Sequence, residues 1–386
     1  MYETTFELVE SGQAAKIKVI GLGGAGGNAV NNMIESGLTG VEFIVFNTDC
    51  QDLEKSRAQT KIQLGCETTR GLGTGANPEL GRQSAEENLE AIQAVVEGAD
   101  MVFLAAGLGG GTGTGAGPVV ADLAKEHGCL TVAVVTKPFF FEGSRRMKVA
   151  EAGFKELQSR VDTIITIPND RLLEAAPKNA LAQGTFRQAD EVLLQAVRGI
   201  ADLITTTGDI NVDFNDVRSV MSEKGQALMG AGMAGGESRG VEAAARAISN
   251  PLLEDISISG ARGLLINITA GPDLTMQEMQ EAASLIQREA DEDANVFVGM
   301  VIDPRMEDQL AVTVIATGIG ERVADIHRPD MDLIRKEAFQ ELRTRRDLDR
   351  PTFMDRQRPD SPLANKSTAV DMNDQEIPTF LRRAAD

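Results

Sequence analysis

Histidine and cysteine are scarce in this chain, which has 2 histidines and 3 cysteines among its 386 residues. Two histidines argue against a histidine-based metal site and against a catalytic triad. Cys50, Cys66 and Cys129 show neither paired nor metal-like spacing, which fits reduced thiols. We therefore expect no metal site built from protein side chains and a cytoplasmic location.

Long apolar runs are also missing, since none reaches the length that crosses a bilayer. The first residues, MYETTFELVESGQ, are acidic and unlike a signal peptide. We therefore expect a protein that does not insert directly into a membrane.

Positive charge is in deficit, because 38 Lys and Arg residues face 58 Asp and Glu residues for a net charge of −20. Residues 321–386 contain 13 basic and 14 acidic residues, a net charge of −1, so residues 1–320 carry the remaining −19. This balance argues against nucleic-acid binding by the globular part and against adsorption on anionic lipid.

Residues 16–206 alternate apolar runs with amphipathic stretches. The runs KIKVIG, VEFIVFN, DMVFLAAG, LTVAVVTKP and DTIITIPN predict strands covered on both faces. Helical patterns between them indicate a parallel, doubly wound sheet. A long helix is predicted over 185–206, with Leu193, Val197, Ile200 and Ile204 on one apolar face.

The pattern changes after Gly208. Strand candidates QALMGAGMAG, RGLLINITAG, NVFVGMVID and QLAVTVIATG, with two helices between them, predict a second and smaller α/β domain. A helix is predicted from about Val217. From Glu321 onward the chain is charged and lacks a core-forming period, so we expect a disordered linker. Ile377, Phe380 and Leu381 near the end indicate a recognition peptide, with an inert terminus as the alternative.

These patterns divide the chain into six segments. We predict a flexible N-terminus at 1–15, a first α/β domain at 16–184, a central helix at 185–207, a C-terminal α/β domain at 208–320, a disordered linker at 321–372 and a recognition peptide at 373–386.

A first glycine cluster, GLGGAGGNAV, follows a predicted strand directly. Its Gly21, Gly23 and Gly26 match the G-x-G-x-x-G fingerprint of dinucleotide-binding turns. The functional interpretation is a phosphate site made of backbone N–H groups at a helix N-terminus. A tight strand-to-helix turn is the alternative.

A second glycine cluster, GGGTGTG at 109–115, follows another predicted strand. Two such turns in one sheet can hold one polyphosphate from both sides, whereas a nicotinamide enzyme needs only one. The hydroxyls of Thr112 and Thr114 can add donors or reach a Mg²⁺-bound water. A P-loop is excluded, since G-K-[ST] is absent and no lysine occurs from residue 19 to residue 54. Backbone amides and a metal ion must therefore balance the phosphate charge.

Candidates for base and sugar recognition follow later strands. Asn169 lies in IPND, and Phe186 and Asp190 lie in TFRQAD near the start of the long helix. A ring can stack on a purine, and a carboxylate can accept from guanine N1–H and the 2-amino group. For Asp190 the alternative is a favourable place in the first helical turn. Glu142 and Arg146 can reach ribose and phosphates, or form an exposed helix-start pair.

A third group, NVDFNDVRSVM, lies far along the chain from both clusters. Asp213 and Asp216 stand three residues apart at a helix start, with Asn211 before them. Asp216 can serve as an N-cap. Alternatively, these side chains polarise an attacking water.

Taken together, these segments resemble the FtsZ family of bacterial tubulin homologues. The resemblance covers nearly all of residues 15–320 and the C-terminal peptide. GGGTGTG is its most specific motif. The others are NTD at 47–49, RGLGTGANPE at 70–79, TKPF at 136–139, IPND at 167–170, NVDF at 211–214 and PLLEDI at 251–256.

The resemblance implies a tubulin/FtsZ-like α/β fold and a GTPase that forms head-to-tail filaments with Mg²⁺ and GTP or GDP. Asn169, Phe186 and Asp190 would hold guanine, and Glu142 and Arg146 would contact the ribose and phosphate region. Asn211, Asp213 and Asp216 would act on the nucleotide of the next subunit. The phosphates would be held by Gly23, Gly24, Ala25, Gly26, Gly27, Asn28, Gly110, Gly111, Thr112, Gly113 and Thr114.

The resemblance also implies a role in the division ring at mid-cell, on the inner face of the membrane. Residues 373–386 would bind membrane-linked adaptors of the FtsA/ZipA type. Asp209, where an apolar residue is more usual, and Glu376, where aspartate is common, depart from the family pattern. The rival interpretations are a plasmid-partition tubulin relative and a nicotinamide-dependent oxidoreductase.

Overall fold

The computed structural model describes residues 15–175, 182–206, 212–223, 225–253, 260–291 and 293–319. The predicted N-terminal segment, linker and recognition peptide lie outside these residues. Asn211 and the second half of the PLLEDI motif, residues 254–256, lie outside them as well.

The described strands form one sheet. Their bounds are β1 Ile17–Leu22, β2 Val41–Asn47, β3 Thr60–Gln63, β4 Met101–Gly107, β5 Leu130–Lys137, β6 Thr163–Pro168, β7 Gln226–Gly235, β8 Gly263–Ala270, β9 Asn295–Ile302 and β10 Gln309–Ile319.

The described helices connect these strands. Their bounds are α1 Gly23–Glu35, α2 Cys50–Lys55, α3 Pro78–Glu86, α4 Leu89–Val96, α5 Thr112–Glu126, α6 Ser144–Gln158, α7 Asn169–Ala175, α8 Ala182–Thr205, α9 Phe214–Met221, α10 Arg239–Ile248 and α11 Met276–Glu289.

The first six strands have the order β3-β2-β1-β4-β5-β6, and all of their pairings are parallel. This is the doubly wound arrangement, so the predicted fold class of the first half is confirmed. The order reverses between β1 and β4, which are neighbours in the sheet although β2, β3 and the helices around them separate these two strands along the chain. A crevice at the carboxyl ends of the strands is expected at such a point.

The apolar strands are buried on both faces, as their continuous hydrophobic runs predict. In β4, Phe103 belongs to a core cluster that includes residues of α1, α8 and α9, whereas Leu104 belongs to a second cluster with residues of α4, α5 and α6. Successive strand residues point to opposite faces, so the sheet is the middle layer of three.

The predicted long helix is α8, which begins at Ala182, three residues before the predicted start. Leu193, Val197 and Ile200 are fully buried and Ile204 is partly buried against the same core cluster, so its predicted apolar face is confirmed. The helix contacts both halves of the sheet. Asn267 Nδ2 of β8 donates to the Gly199 carbonyl oxygen at 3.2 Å. A Cβ on Gly199 would lie 2.9 Å from the Thr313 methyl of β10, so the close approach requires glycine here.

The second half has the order β7-β10-β8-β9, with β10 antiparallel to both of its neighbours. α10 and α11 cover it through a third core cluster. The sequence predicts this half as a separate domain, yet β6 and β7 pair in parallel at Ile164–Gln226 and Ile165–Ala227 and join both halves in one sheet. The short edge strand β3 was not predicted.

Candidate nucleotide-binding site

The two glycine-rich turns meet at the carboxyl ends of β1 and β4. Leu22 ends β1 and pairs with Ala106 of β4, so both strands finish at the same edge of the sheet. A Cβ on Gly23 would lie 3.2 Å from the backbone nitrogen of Gly113. The structure therefore brings both predicted clusters into one concave site at the strand-order reversal, and we call residues 21–28 and 109–115 the cradle.

Both helices that start at the cradle leave their first N–H groups available. α1 and α5 have Leu22 and Gly111 at their N-cap positions, without a side-chain cap bond and without an acidic residue in the first turn. By contrast, α2, α3 and α11 have side-chain caps, from Asp49, Asn77 and Thr275. Two uncapped helix N-termini at one point attract an anion through their free amides and their dipoles.

Close packing explains the glycines of the cradle. A Cβ on Gly26 would clash with the carbonyl oxygen of Ala105 in β4, and one on Gly111 would clash with the Thr74 hydroxyl. Gly109 has a φ of +90°, which favours glycine. A Cβ on Gly110 would meet nothing within 4 Å, so this residue borders open space. The turn thus packs tightly on its protein side and faces the crevice at its centre.

The two threonines of GGGTGTG have different surroundings. Thr112 Oγ1 lies 2.7 Å from Thr48 Oγ1 and 3.5 Å from Thr74 Oγ1. Thr114 Oγ1 accepts from the Gly109 N–H at 3.0 Å, so this hydroxyl braces the turn. Contact between Thr114 and a phosphate stays a prediction, whereas Thr112 lies in a hydroxyl cluster at the cradle.

Thr48 and Thr74 were not predicted as site residues. Their motifs, NTD and RGLGTGANPE, carry the family resemblance without pointing to a role. Thr48 directly follows β2, and its carbonyl oxygen accepts from Gly73 N–H at 3.3 Å and from the Thr69 hydroxyl at 3.3 Å. These bonds hold the 65–77 loop against the cradle. The sequence signal that could have identified Thr48 is its position at the carboxyl end of β2, the strand next to β1 in the sheet.

Glu142 and Arg146 lie beside the second turn. Glu142 Oε1 accepts from the Phe139 N–H at 2.8 Å, and its Oε2 pairs with Arg146 Nη1 at 2.9 Å. A Cβ on Gly109 would lie 2.8 Å from the Arg146 carbonyl oxygen, which places Arg146 next to the cradle. Glu142 therefore orders the loop and orients Arg146, and contact of either side chain with ribose or phosphate stays a prediction.

Asn169 begins α7 directly after β6, one strand beyond β5 along the same edge of the sheet. Its side chain is 7% exposed, and its Oδ1 has no hydrogen-bond partner among the residues that the structure describes. A buried and unsatisfied amide oxygen is costly unless a ligand completes it. This atom supports the predicted role of Asn169 in ligand binding.

An aromatic group lies next to it. The Phe186 ring is 49% exposed and stands edge-on to Phe139 at 5.3 Å between centroids, and Phe139 stacks on Phe141 at 5.0 Å. Phe140 N–H donates to Asp170 Oδ1 at 2.9 Å, which ties this loop to α7. The exposed Phe186 face is available for stacking on a base, and Phe139 and Phe141 are supporting residues that sequence reasoning missed.

Asp190 lies on α8, one helical turn from Phe186. Because α8 begins at Ala182, Asp190 is beyond the first turn, so favourable dipole placement does not explain it. Burial raises the pKa of the Asp190 carboxyl from 3.8 to about 6. In the part of the chain that the structure describes, no hydrogen bond or ion pair compensates this burial. A buried carboxylate that lacks a compensating partner in the protein is suited to accept hydrogen bonds from donors on a ligand.

We expect GTP affinity to rise with pH through about 6, because the ionised Asp190 carboxylate accepts from guanine more strongly than the protonated acid. Asp190→Asn should flatten this rise, and Asp190→Ala should weaken GTP binding about tenfold, the cost of losing a hydrogen bond to a charged group. Equilibrium titration of GTP from pH 5 to pH 8 measures both effects.

The pH dependence of the free energy of unfolding provides a comparison for the pH dependence of GTP affinity. The native carboxyl holds its proton more tightly than the unfolded one, so stability falls as pH rises from 3.8 through about 6. Burial and Asp303 raise the pKa of Asp202 to about 6 as well, so unfolding reports both groups and GTP affinity reports Asp190. A pH profile of GTP binding that Asp190→Asn leaves unchanged contradicts the assignment.

Asp213 and Asp216 lie at the opposite end of the sheet from the cradle. The Thr163 hydroxyl, at the amino end of β6, donates to the Met221 carbonyl oxygen of α9. A Cβ on Gly40, just before β2, would lie 2.8 Å from Cβ of Thr205 at the end of α8, and one on Gly299 would contact both Leu203 of α8 and Val212, the residue before Asp213. Because Asn169 follows the carboxyl end of β6, about 16 Å of strand separates the two ends. The structure does not bring this acid pair to the cradle of its own chain.

The acid pair also differs from the predicted cap. α9 begins at Phe214 rather than near Val217, so the N-cap is Asp213 and not Asp216. The Asp213 side chain makes no cap hydrogen bond, and Asp216 lies in the first turn. The N-cap interpretation of Asp216 is therefore wrong, and neither carboxylate is engaged in capping α9.

Two further observations concern clusters of metal-ligating side chains and helices long enough to span a membrane. Within the described ranges, no group of three or more His, Cys, Asp and Glu side chains could hold a metal ion. None of the helices described combines the length and the apolarity that crossing a bilayer requires.

Comparisons with known proteins show the family to which the chain belongs. The model of the tubulin/FtsZ family GTPase domain matches residues 16–177, and the model of the FtsZ family C-terminal domain matches residues 225–320. The chain is 51% identical to the cell division protein FtsZ of Pseudomonas aeruginosa, covering 99% of this chain and 100% of that protein. It is also 51% identical to that of Coxiella burnetii, covering 98% and 99%.

Solved structures show the same relationship. An empty FtsZ dimer from M. jannaschii is similar with a TM-score of 0.77 and 43% identity, covering 81% of this chain and 90% of that one. CetZ2 from Haloferax volcanii, with a TM-score of 0.67 and 23% identity over 84% of this chain and 99% of that one, shares the fold. On these grounds the chain belongs to the FtsZ family of tubulin-like GTPases.

Proposed function

We propose that this chain is a GTP-dependent, polymerising GTPase of the bacterial division ring, and that hydrolysis takes place between successive subunits. The observation that carries this proposal is the placement of the cradle and the acid pair at opposite ends of one sheet. A head-to-tail contact places the acids of one subunit over the nucleotide of the next. Asp213 and Asp216, with Asn211 before them, would then orient the attacking water.

The phosphates would bind at the cradle, through N–H groups of Gly23 to Asn28 and of Gly110 to Gly113. Mg²⁺ fits this site, because it keeps several waters and needs few protein ligands. The side chains that would hold its waters are the Thr112 hydroxyl and the Asp52 carboxylate, since a Cβ on Gly24 would lie 3.2 Å from Asp52 Oδ2. When bound, the ion neutralises charge on the phosphates, which matters in a cradle without lysine.

Guanine would bind between Asn169, Phe186 and Asp190. The unsatisfied Asn169 Oδ1, the exposed Phe186 ring and the buried Asp190 carboxyl support this placement. A carboxylate accepts from two guanine donors that adenine lacks, so the arrangement favours GTP over ATP.

Exposed apolar side chains border the nucleotide end of the molecule. Leu72 on the 65–77 loop is 83% exposed, and Phe140 beside the aromatic group is 86% exposed. Large apolar groups at this level of exposure mark contact surfaces when they lie together around a site. A second copy of the chain, seated with its acid pair over the cradle, would cover them.

GTP hydrolysis per subunit should rise with protein concentration, because a site shared between two subunits exists only after they associate. We expect light scattering to grow with GTP and not with ATP over the same range. Phosphate release measured across a dilution series tests this. A constant specific activity, down to concentrations without assembly, contradicts the shared site.

We further propose the division of labour that the sequence predicts. Residues 16–184 would bind nucleotide, 185–207 would form the central helix, and 208–320 would carry the acid pair. Beyond residues 321–372, the peptide 373–386 would bind membrane-linked adaptors of the FtsA/ZipA type, with Ile377, Phe380 and Leu381 in apolar grooves. This attachment would hold the cytoplasmic filaments at the mid-cell membrane.

Deletion of residues 373–386 should leave GTPase activity and polymerisation near the wild-type values, because the deleted segment lies outside the matched domains. Mid-cell rings should be lost. Phosphate release, light scattering and fluorescence microscopy of a tagged chain measure the three properties. Deletion of 359–372, a segment of equal length within the linker, is the matched control and should keep the rings. Normal rings after deletion of 373–386 contradict the adaptor role.

A further inference from the structure

Three threonine hydroxyls from separate parts of the chain converge at the cradle. Thr48 follows β2, Thr74 lies on the 65–77 loop, and Thr112 is the first residue of α5. All three residues are buried, and Thr48 has no exposed surface at all. The Thr48–Thr112 hydroxyl distance of 2.7 Å is that of a well-formed O–H···O bond, whereas the Thr74–Thr112 distance of 3.5 Å is at the limit of one.

The burial of Thr48 decides which hydroxyl donates. Each hydroxyl has one proton to give and can accept from others. Across the described part of the chain, Thr112 Oγ1 is the one acceptor within reach of the Thr48 hydroxyl. If Thr112 donated to Thr48, the Thr48 proton would be buried without an acceptor, which is unfavourable. The Thr48 hydroxyl therefore donates, and Thr112 Oγ1 accepts.

When the Thr48 hydroxyl donates to Thr112 Oγ1, the proton of the Thr112 hydroxyl remains available for another acceptor. Its nearest protein acceptor is Thr74 at the long distance of 3.5 Å. Thr112 begins α5 at the uncapped N-terminus that faces the crevice, and a Cβ on Gly23 would lie 3.2 Å from Thr112 Cβ. A phosphate oxygen in the cradle is a stronger acceptor than the Thr74 hydroxyl, because hydrogen bonds to charged groups are shorter and stronger.

We propose that Thr48 is a positioning residue for nucleotide binding, whose hydroxyl donates to Thr112 and thereby directs the Thr112 proton at the phosphates. The inference rests on the proposed function, since it requires phosphates in the cradle. Thr48 also accepts from Gly73 N–H and the Thr69 hydroxyl through its carbonyl oxygen. One residue thus fixes both the 65–77 loop and the donor at the head of α5.

Thr48→Val removes the hydroxyl and keeps the side-chain shape. GTP affinity should fall about tenfold, because the Thr112 donor loses its orientation toward a charged acceptor. Thr48→Ser, which keeps the hydroxyl, should restore affinity to near the wild-type value. Equilibrium titration of GTP at protein concentrations too low for assembly measures both. Thr48→Ala removes the same hydroxyl with less bulk and serves if the valine variant does not fold.

Thr131→Val is the matched control. Thr131 is also fully buried and its hydroxyl donates to the Cys129 carbonyl oxygen at 3.2 Å, but it lies near the amino end of β5, away from the cradle. Both valine variants should lower the melting temperature to a similar extent. The control should bind GTP like the wild type, so a loss of affinity confined to Thr48 is not a loss of stability.

A double-mutant cycle tests whether Thr48 acts through Thr112. Thr112→Val alone should weaken GTP binding, and adding Thr48→Val should weaken it no further. Additive losses overturn the inference, as do wild-type affinity in Thr48→Val and weak binding in Thr48→Ser. Absence of GTP binding by the wild-type chain overturns the proposed function and this inference with it, so the two failures are distinguishable.

Discussion

Asp216→Ala should lower GTP turnover by about 10²–10⁴-fold, the usual contribution of a general acid–base group. GTP binding should stay at the wild-type level, because the cradle lies at the other end of the sheet from α9. Filaments should still form and last longer, since hydrolysis weakens their contacts. Phosphate release above the assembly concentration and GTP titration below it measure the two properties separately.

A mixing experiment shows whether Asp216 acts on a neighbouring subunit. Asp216→Ala subunits added to wild type should inactivate the wild-type nucleotide sites that they cover, so total activity should fall below that of the wild type alone. Activity that tracks the amount of wild type, once co-assembly is verified, contradicts action in trans.

Glu90→Ala is the matched control for Asp216→Ala. Glu90 is an exposed acid in the first turn of α4 and belongs to no predicted site. Each substitution removes a favourable interaction with a helix dipole worth about 0.3–1 kcal/mol. Both variants should therefore lose similar stability, and only Asp216→Ala should lose turnover. Equal turnover in the two variants contradicts a catalytic role.

The strands of the first half could be predicted because burial on both faces requires continuous apolar runs. β4, for example, is Met101–Gly107 with nearly every residue buried. β3 lacks this signal, since Thr60–Gln63 has Ile62 as its one large apolar residue and lies at the sheet edge. The joining of both halves into one sheet depends on two residue pairs between β6 and β7, and no local pattern encodes such a pairing.

The cradle could be predicted because its glycines follow strands directly, and parallel strands end at one edge of a sheet. The side-chain contacts around the cradle could not be predicted from the sequence. Thr48 and Thr74 meet Thr112 across separations of 64 and 38 residues, and only the folded sheet brings them together. The start of α9 was predicted too late, because Asp213 and Asp216 are both residue types that favour an N-cap, and only the structure shows that the extended N-cap backbone lies at Asp213.

Gly26→Ala should weaken GTP binding about ten- to a hundredfold and lower the free energy of unfolding by about 1–3 kcal/mol, the usual range for overpacking. The added Cβ would clash with the Ala105 carbonyl oxygen, which is backbone within β4 and cannot rotate away. α1 must therefore shift from the sheet. Because Gly23 begins this helix within contact distance of Gly113, the shift separates the two halves of the cradle.

Gly117→Ala is the matched control for this prediction, since it makes the same change inside α5. A Cβ there would lie 3.7 Å from side-chain carbons of Leu157 and Leu22, an ordinary contact. Alanine should gain up to about 1 kcal/mol in helix propensity, so the control should be at least as stable as the wild type and bind GTP equally well. GTP titration and urea unfolding of both variants provide the measurements. If Gly26→Ala loses stability but binds GTP like the wild type, the seating of α1 on β4 does not form the phosphate site.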